Sequence, residues 1–245
     1  MGCMRASAAF FDIDGTIYRE GLITEVFKKM IRYELIDESK WHQEVRPAFL
    51  DWDKRQGDYD TYLQKMVDVY KEAVKGISPF HMKYAAKKVV EQKGDRVYTF
   101  SRSKIIWHQQ QKHKVIAISG SPIELVREMS RKYRMDDYRG TIYKLDDQGT
   151  YNGEIIPMWD SQSKKKAILE IIQEYDIDLD KSYAYGDTAG DFTMLKMVGN
   201  PFAINPTKEL LMKILADDEL RGKIKIVVER KDVTYLLDIE RLDFQ

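Results

Sequence analysis

Short apolar segments alternate with longer amphipathic segments along most of the chain. Four of the apolar segments are brief, β-prone and bounded by Gly, Pro or Asp, so they predict buried strands at residues 8–13, 115–119, 182–185 and 201–204. Residues 224–228 are a candidate fifth strand. Helical patterns lie between these strands. Strands that alternate with helices predict an α/β fold with a doubly wound parallel sheet that helices cover on both faces.

Two segments interrupt this alternation. Residues 22–112 are rich in Lys, Glu, Gln, Tyr and Trp, contain no convincing strand, and predict an inserted helical cap between two parts of a core, 1–21 and 113–245. Within the cap, helical spacing joins Leu22, Val26, Met30 and Tyr33. Residues 140–156 carry Gly149 and an Asn-Gly pair between alternating segments, which predicts a small β-hairpin.

Composition narrows the class of protein. Lys and Arg together number 40, and so do Asp and Glu, so no net field favours nucleic acid or an anionic membrane. The single cysteine, Cys3, excludes a disulfide within the chain, and no apolar segment approaches the ~18 residues of a membrane span. The four Trp are expected to be packing residues and the four His structural or exposed. We therefore expect a cytoplasmic protein without nucleic-acid or membrane partners, and the oligomeric state stays open.

The ends of the predicted strands carry the polar residues that suggest chemistry. Asp12 and Asp14 end the first strand, and an unpaired carboxylate beside a packed strand costs several kcal/mol, which a bound cation or a reaction would explain. Ser119-Gly120-Ser121 ends the second strand, and Asp187 and Asp191 follow the third. Ligands of such sheets gather at the carboxyl ends of the strands, so we expect these residues to share one crevice.

Together with Lys164, before the helical pattern of residues 165–175, these segments resemble the four signature motifs of the haloacid dehalogenase (HAD) superfamily. Their order and spacing are similar to the phosphoserine-phosphatase-like branch (subfamily IB), which has a helical cap between the first two motifs. The resemblance covers roughly residues 6–215. It implies a Rossmann-like core and a magnesium-dependent phosphomonoester hydrolase that forms an aspartyl-phosphate. The implied substrate is a small phosphorylated metabolite, with phosphoserine among the candidates.

The resemblance also implies roles for the acids. Asp12 would be the nucleophile, and Asp14 would protonate the leaving alcohol and then activate water. Mg²⁺ would bind the Asp12 side chain, the Asp14 backbone carbonyl and Asp187, because magnesium prefers oxygen ligands. Asp191 would hold a metal-bound water, and Thr16 would contact the metal ligands without binding the metal itself.

The remaining motif residues would bind the phosphoryl group. Ser119 and the Gly120 amide would contact its oxygens, and Lys164 would neutralise its charge, with Lys165 as the alternative lysine. Without the resemblance, Ser121 could simply cap the helix that Pro122 opens, and the run of three lysines could be a solvated helix face.

Three functions remain to be separated. By the resemblance, Asp14 supplies the base that hydrolyses an aspartyl-phosphate, which favours a phosphatase over the dehalogenases and ion-pumping ATPases of the superfamily. A phosphotransferase or phosphomutase is an open alternative. A non-catalytic phosphate- or metabolite-binding protein on the same fold is the other alternative. Phosphoserine phosphatases that resemble this chain carry a Glu where it has Gly21, so phosphoserine is an open candidate only.

Overall fold

One sheet of eight strands organises the residues that this computed structural model describes, 5–239 without the side chain of Asp60. Its spatial order is β4-β3-β2-β1-β5-β6-β7-β8. Cys3 lies outside the described residues. The strands are β1 (Ala8–Phe11), β2 (Lys114–Pro122), β3 (Asp137–Leu145), β4 (Tyr151–Ile156), β5 (Tyr183–Gly186), β6 (Asn200–Ile204), β7 (Lys225–Arg230) and β8 (Val233–Leu237).

The six inner strands (β3, β2, β1, β5, β6 and β7 in spatial order) pair in parallel. The two edge strands, β4 and β8, pair antiparallel to their neighbours. The prediction of an α/β fold with a parallel sheet is therefore confirmed. The hairpin predicted at residues 140–156 is formed by β3 and β4, but β3 begins earlier and extends the main sheet. Strand β8 was not predicted, and its Tyr235 and Leu236 are exposed, so it lacks the pattern of a buried strand.

Helices and tight turns connect the strands. Five helices lie between β1 and β2, and a π-helical turn (Lys40–Val45) precedes the second of them. A 3₁₀ turn (Ala189–Asp191) follows β5. The helices are α1 (Leu22–Arg32), α2 (Arg46–Asp53), α3 (Tyr59–Ala73), α4 (Pro79–Lys93), α5 (Thr99–Gln110), α6 (Ile123–Lys132), α7 (Ser161–Tyr175), α8 (Phe192–Met197), α9 (Lys208–Leu215) and α10 (Asp218–Arg221).

Strand β1 shows why the sheet is covered on both faces. Its side chains alternate between two hydrophobic cores: Ala9 and Phe11 pack on the side of the cap helices, and Ala8 and Phe10 on the side of α7, α8 and α9. Alternate residues of a strand point to opposite faces, so four consecutive apolar residues need a layer of helices on each side. All four are fully buried.

The starts of α7 and α6 differ from the predicted ones, and a side-chain cap decides the first of them. The Asp160 carboxylate accepts hydrogen bonds from the backbone N–H groups of Gln162 and Ser163, so α7 begins at Ser161, before the predicted residue 165. Helix α6 begins at Ile123, and Pro122 precedes it as the last residue of β2 rather than opening it. The predicted short helix after β5 is present as α8.

The five helices of the predicted cap pack continuously with the sheet. They share one hydrophobic core with Phe11 and Val115. The α3–α4 connection is also tied to the hairpin, because Gly76 N–H donates to the Tyr151 carbonyl and Tyr151 N–H donates to the Ile77 carbonyl. The division into core and cap at residues 22 and 112 stays a prediction. Among residues 5–239, no helix combines the length and apolar character that crossing a bilayer requires.

Candidate active site

A tight turn places both acids of the first motif at the carboxyl end of β1. The Ile13 carbonyl accepts hydrogen bonds from the N–H groups of Ile17 (2.8 Å) and Tyr18 (2.7 Å). Gly15, which lies within the turn between Ile13 and Ile17, has φ of +80°, a conformation that glycine adopts without strain. The chain therefore turns back immediately after the strand, and Asp12 and Asp14 remain at its tip.

The sheet order brings three motif segments together. Strand β1 lies between β2 and β5, so Asp12 after β1, Asp187 after β5 and Ser119 near the end of β2 lie on neighbouring parallel strands. Lys164 reaches the same place from the first turn of α7. The predicted shared crevice is present at this edge of the sheet, as expected for parallel strands.

Lys164 is the lysine that enters the site. Its side chain is buried, and its Nζ lies 2.7 Å from Asp12 Oδ1 and 2.5 Å from Asp191 Oδ1. The alternative, Lys165, is exposed. Burial alone would lower the pKa of Lys164, but the charges of Asp12 and Asp191 raise it above the ordinary value. Lys164 therefore stays protonated.

Asp14 is held by a backbone donor and a hydroxyl donor. Leu22 N–H donates to Asp14 Oδ1 at 2.7 Å, and Ser121 Oγ donates to Oδ2 at 2.5 Å, whereas Ser119 Oγ is 3.5 Å away. Burial raises the pKa of Asp14, and the hydrogen bonds from Ser121 and Leu22 oppose the rise. The interpretation of Ser121 as a helix cap is wrong, because β2 continues through Ser121 and directs its hydroxyl to Asp14.

Asp191 forms direct hydrogen bonds with other residues of the site, in addition to the predicted contact with a metal-bound water. Its Oδ1 accepts from Lys164, and its Oδ2 accepts from the backbone N–H groups of Asp187 (3.0 Å) and Thr188 (3.1 Å). Thr16 Oγ1 donates to Asp187 Oδ1 at 2.9 Å. Asp191 and Thr16 thus orient the Asp187 backbone and side chain.

Three buried acids, Asp12, Asp187 and Asp191, could hold a metal ion. One carboxylate oxygen from each lies within 4.8 Å of the others. Burial, followed by the charges of Asp12 and Asp191, raises the pKa of Asp187 well above its ordinary value. Burial likewise raises the pKa of Asp12, although Lys164 opposes the rise. One ammonium does not balance these carboxylates, so a hard divalent cation with oxygen ligands fits the donor set.

The second motif forms a close-packed floor. Ser119 is buried, and its Oγ accepts a hydrogen bond from Ser121 N–H. A Cβ on Gly120 would lie 2.8 Å from Trp159 Cβ, so glycine is required for this contact. Trp159 lines the site, and nothing local in the sequence distinguished it from a packing residue.

Two neighbouring cavities open on these residues. The smaller, about 540 Å³, is lined by Asp12, Asp14, Ser119, Lys164 and Trp159, among others. The larger, about 1060 Å³, reaches Gly15 and Asp187. Gly21, Tyr59 and Glu209 line both cavities and mark their junction.

Comparisons with known proteins agree with this architecture. A family model described as haloacid dehalogenase-like hydrolase matches residues 9–196. The chain is 27% identical to the inhibition of morphological differentiation protein of Streptomyces azureus, over 86% of this chain and 76% of that protein. It is 21% identical to the histidinol-phosphatase of Neisseria meningitidis serogroup C, over 82% and 91% of the two chains.

Solved structures share the fold at low identity. A protein of unknown function from Bordetella pertussis superposes with a TM-score of 0.69 at 16% identity, covering 90% of this chain and 98% of the other. A phosphoserine phosphatase solved as a phospho-aspartyl intermediate analogue superposes with a TM-score of 0.60 at 18% identity, covering 94% and 96%. At these identities the likeness concerns the fold alone.

Proposed function

The chain belongs to the haloacid dehalogenase-like hydrolases, and we propose that it is a magnesium-dependent phosphomonoester hydrolase. The predicted family resemblance is confirmed by the family match. We propose further that the enzyme acts through an aspartyl-phosphate on a small phosphorylated metabolite. The observation that carries this proposal is the group of buried carboxylates around Lys164 at one edge of the sheet.

In the first step, Asp12 attacks phosphorus. Lys164 binds Asp12 Oδ1, which orients the carboxylate and leaves Oδ2 as the attacking atom. A bond forms between this oxygen and phosphorus, and the bond from phosphorus to the ester oxygen breaks. Asp14 donates its proton to the departing alcohol, and its raised pKa favours the protonated form that this step needs.

In the second step, Asp14 is a carboxylate and takes a proton from water. The water oxygen attacks phosphorus, the bond to Asp12 breaks, and inorganic phosphate leaves. The Ser121 hydroxyl and Leu22 N–H hold Asp14 in position for both proton transfers.

The phosphoryl oxygens need donors and positive charge throughout. We assign the Ser119 hydroxyl, the Gly120 N–H and the Lys164 ammonium as these groups, in line with their placement along the smaller cavity. Magnesium, held by Asp12, the Asp14 carbonyl and Asp187, would supply further positive charge to the phosphoryl group.

The substrate is proposed only by class. Phosphoserine remains a candidate, and so does the kind of substrate named by the histidinol-phosphatase relative. A cytoplasmic location and the lack of nucleic-acid and membrane partners stay predictions from composition and charge.

The proposal is tested by measuring phosphate release from p-nitrophenyl phosphate and from a panel of phosphorylated metabolites. Each assay is run once in magnesium and once in EDTA. Asp12→Asn should lower turnover by at least about a thousandfold, because an amide is a poor nucleophile. The matched control is Asp147→Asn, since Asp147 is exposed on the hairpin.

Parent protein incubated with substrate should carry a phosphoryl group that hydroxylamine removes, and Asp12→Asn should not. Phosphate binding without turnover in the parent would favour the non-catalytic alternative. Phosphoryl transfer to an added alcohol with little release to water would favour a phosphotransferase.

A further inference from the structure

The larger cavity is the natural extension of the reacting site. It reaches Asp187 and Gly15 and meets the smaller cavity at Gly21, Tyr59 and Glu209. With about 1060 Å³, it far exceeds the volume of a serine-sized alcohol. A substrate whose phosphoryl group lies beside Asp12 can therefore extend its leaving group into this space.

Four rings form one side of this cavity, and we call them the aromatic wall: Phe49, Trp52, Tyr59 and Tyr62. Trp52 and Tyr62 stack with centroids 5.5 Å apart and planes 8° from parallel. Phe49 lies 5.4 Å from Tyr62, and Tyr59 lies 5.4 Å from Trp52. Tyr62 is buried, whereas the other three are half-buried, so they keep surface that a bound ring could cover.

Helix α1 holds the aromatic wall in place. Tyr62 Oη and Thr24 Oγ1 form a hydrogen bond of 2.5 Å. The Lys28 ammonium lies 5.3 Å from the Phe49 ring centroid and 4.2 Å from that of Trp41. The rings are thus arranged before any ligand binds, which lowers the entropic cost of binding a planar group.

Gly21 leaves the junction between the cavities open. Its backbone is extended, with φ of −90°, so the conformation does not require glycine. A Cβ there would lie 3.7 Å from Thr24 Oγ1 and 3.9 Å from Tyr59 Oη, which is ordinary contact. The absence of a side chain therefore widens the path from the phosphoryl site to the aromatic wall.

Several charges around the larger cavity already have partners. Glu20 pairs with Arg96, and Glu25 pairs with Lys93. Arg19 pairs with Glu229 at 3.4 Å. These three charged pairs are compensated within the protein, and the four rings offer adjoining apolar surface that a neutral planar group could cover.

We propose, building on the proposed function, that the larger cavity is a leaving-group site for phosphomonoesters whose alcohol carries a planar aromatic or heteroaromatic ring. Trp52 is its principal stacking residue, because it contacts three other rings of the aromatic wall and remains half-buried.

The test compares two substrates that differ only in the ring, 2-phenylethyl phosphate with a planar aromatic ring and 2-cyclohexylethyl phosphate with a saturated, puckered one. The parent enzyme should favour the phenyl ester in kcat/KM by about two- to twelvefold, the range that ring stacking provides. Trp52→Leu should bring the ratio close to one, and Trp52→Phe should keep part of it. Trp107→Leu is the matched control and should keep the full ratio, since Trp107 packs on His108, His113 and Tyr183.

Binding separates this proposal from the hydrolase proposal. Dissociation constants of 3-phenylpropylphosphonate and 3-cyclohexylpropylphosphonate, which cannot be hydrolysed, should show the same preference of about two- to twelvefold and the same dependence on Trp52. Equal affinities, together with equal kcat/KM wherever the esters are hydrolysed, would overturn the leaving-group site and leave the hydrolase proposal intact. A preference among phosphonates without any hydrolysis would overturn the hydrolase and support the site.

Discussion

Replacing Lys164 by Met should destabilise the protein strongly and in a pH-dependent way. Within residues 5–239, Lys164 is the one lysine or arginine whose side chain is buried, and it contacts Asp12 and Asp191 at 2.7 and 2.5 Å. Met has similar length and no charge. The variant therefore keeps the packing of the side chain and leaves the buried carboxylates without their ammonium.

The size of the stability loss follows from the cost of protonating a buried carboxylate that has lost its ammonium partner. A carboxylate that cannot remain charged takes a proton, and at pH 7 this costs about 4 kcal/mol against an unfolded-state pKa of about 3.9. Removing one partner of a buried ion pair typically costs about 3–5 kcal/mol, which agrees. We therefore expect Lys164→Met to lose about 4 kcal/mol of unfolding free energy at pH 7.

The penalty should shrink as the pH falls. The folded variant holds a proton on a carboxyl whose pKa is raised above the unfolded value, so the folded state binds more protons and gains stability relative to the parent in acid. The same arithmetic gives about 1.5 kcal/mol at pH 5. The assay is urea unfolding in EDTA at pH 7 and pH 5, because bound magnesium would also offset the lost charge.

Lys165→Met is the control, because Lys165 neighbours Lys164 on α7 and is exposed. It should change stability by less than about 0.5 kcal/mol. A loss for Lys164→Met no larger than that of the control, or an equal loss at both pH values, would refute the account of Lys164 as the compensating charge.

Two further predictions concern a glycine and a histidine pair. Gly15→Ala should lower magnesium-dependent activity about 10- to 100-fold, because the new methyl group would overlap the Asp187 carboxylate. Gly149→Ala is the control. Gly149 has a similar φ of +78° but open space around it, so this variant should have the same backbone strain as Gly15→Ala without a steric overlap. Burial and the neighbouring His113 lower the pKa of His108 to about 3. Urea unfolding should therefore show a stability loss of about 1 kcal/mol between pH 6.5 and 5.5 that is due to His108.

The sign of the histidine effect follows from its depressed pKa. The unfolded chain protonates His108 below about pH 6.5, whereas the folded protein keeps it neutral until about pH 3, so stability is lost as the pH falls through this window. His108→Gln should reduce the loss over this interval, and an unchanged loss would contradict the assignment. Equal activity of Gly15→Ala and Gly149→Ala would contradict the predicted overlap at Asp187.

Most of the fold could be predicted because its signals are local. The apolar run before Asp12 is short, aromatic and ended by a glycine turn, which favours a strand. The alternation of strands and helices leaves few alternatives to a parallel sheet. The placement of Asp12, Asp14 and Asp187 at one edge follows from the same pattern, since parallel strands end together. The exposed edge strand β8 escaped prediction because it carries no such pattern.

The tertiary structure decided which side chains meet. The sequence could not separate Lys164 from Lys165, because only the packing of α7 against the sheet buries one and exposes the other. A helix cap was the alternative interpretation of Ser121, and no local pattern could exclude it, because the hydrogen bond from Ser121 to Asp14 joins residues 107 positions apart. The same holds for His108, whose bond to the Tyr185 hydroxyl crosses from the cap helices to the sheet.

The aromatic wall depends still more on assembly. Phe49 and Trp52 share one face of α2 at i, i+3 spacing, and Tyr59 and Tyr62 share one face of α3 in the same way. The four rings form one surface only because α2 and α3 pack together beside α1. The class of fold and the acids at the sheet edge could be read from local sequence, since strand ends and turns depend on neighbouring residues. Which charges, hydroxyls and rings surround those acids was decided by contacts between distant segments, which no local pattern records.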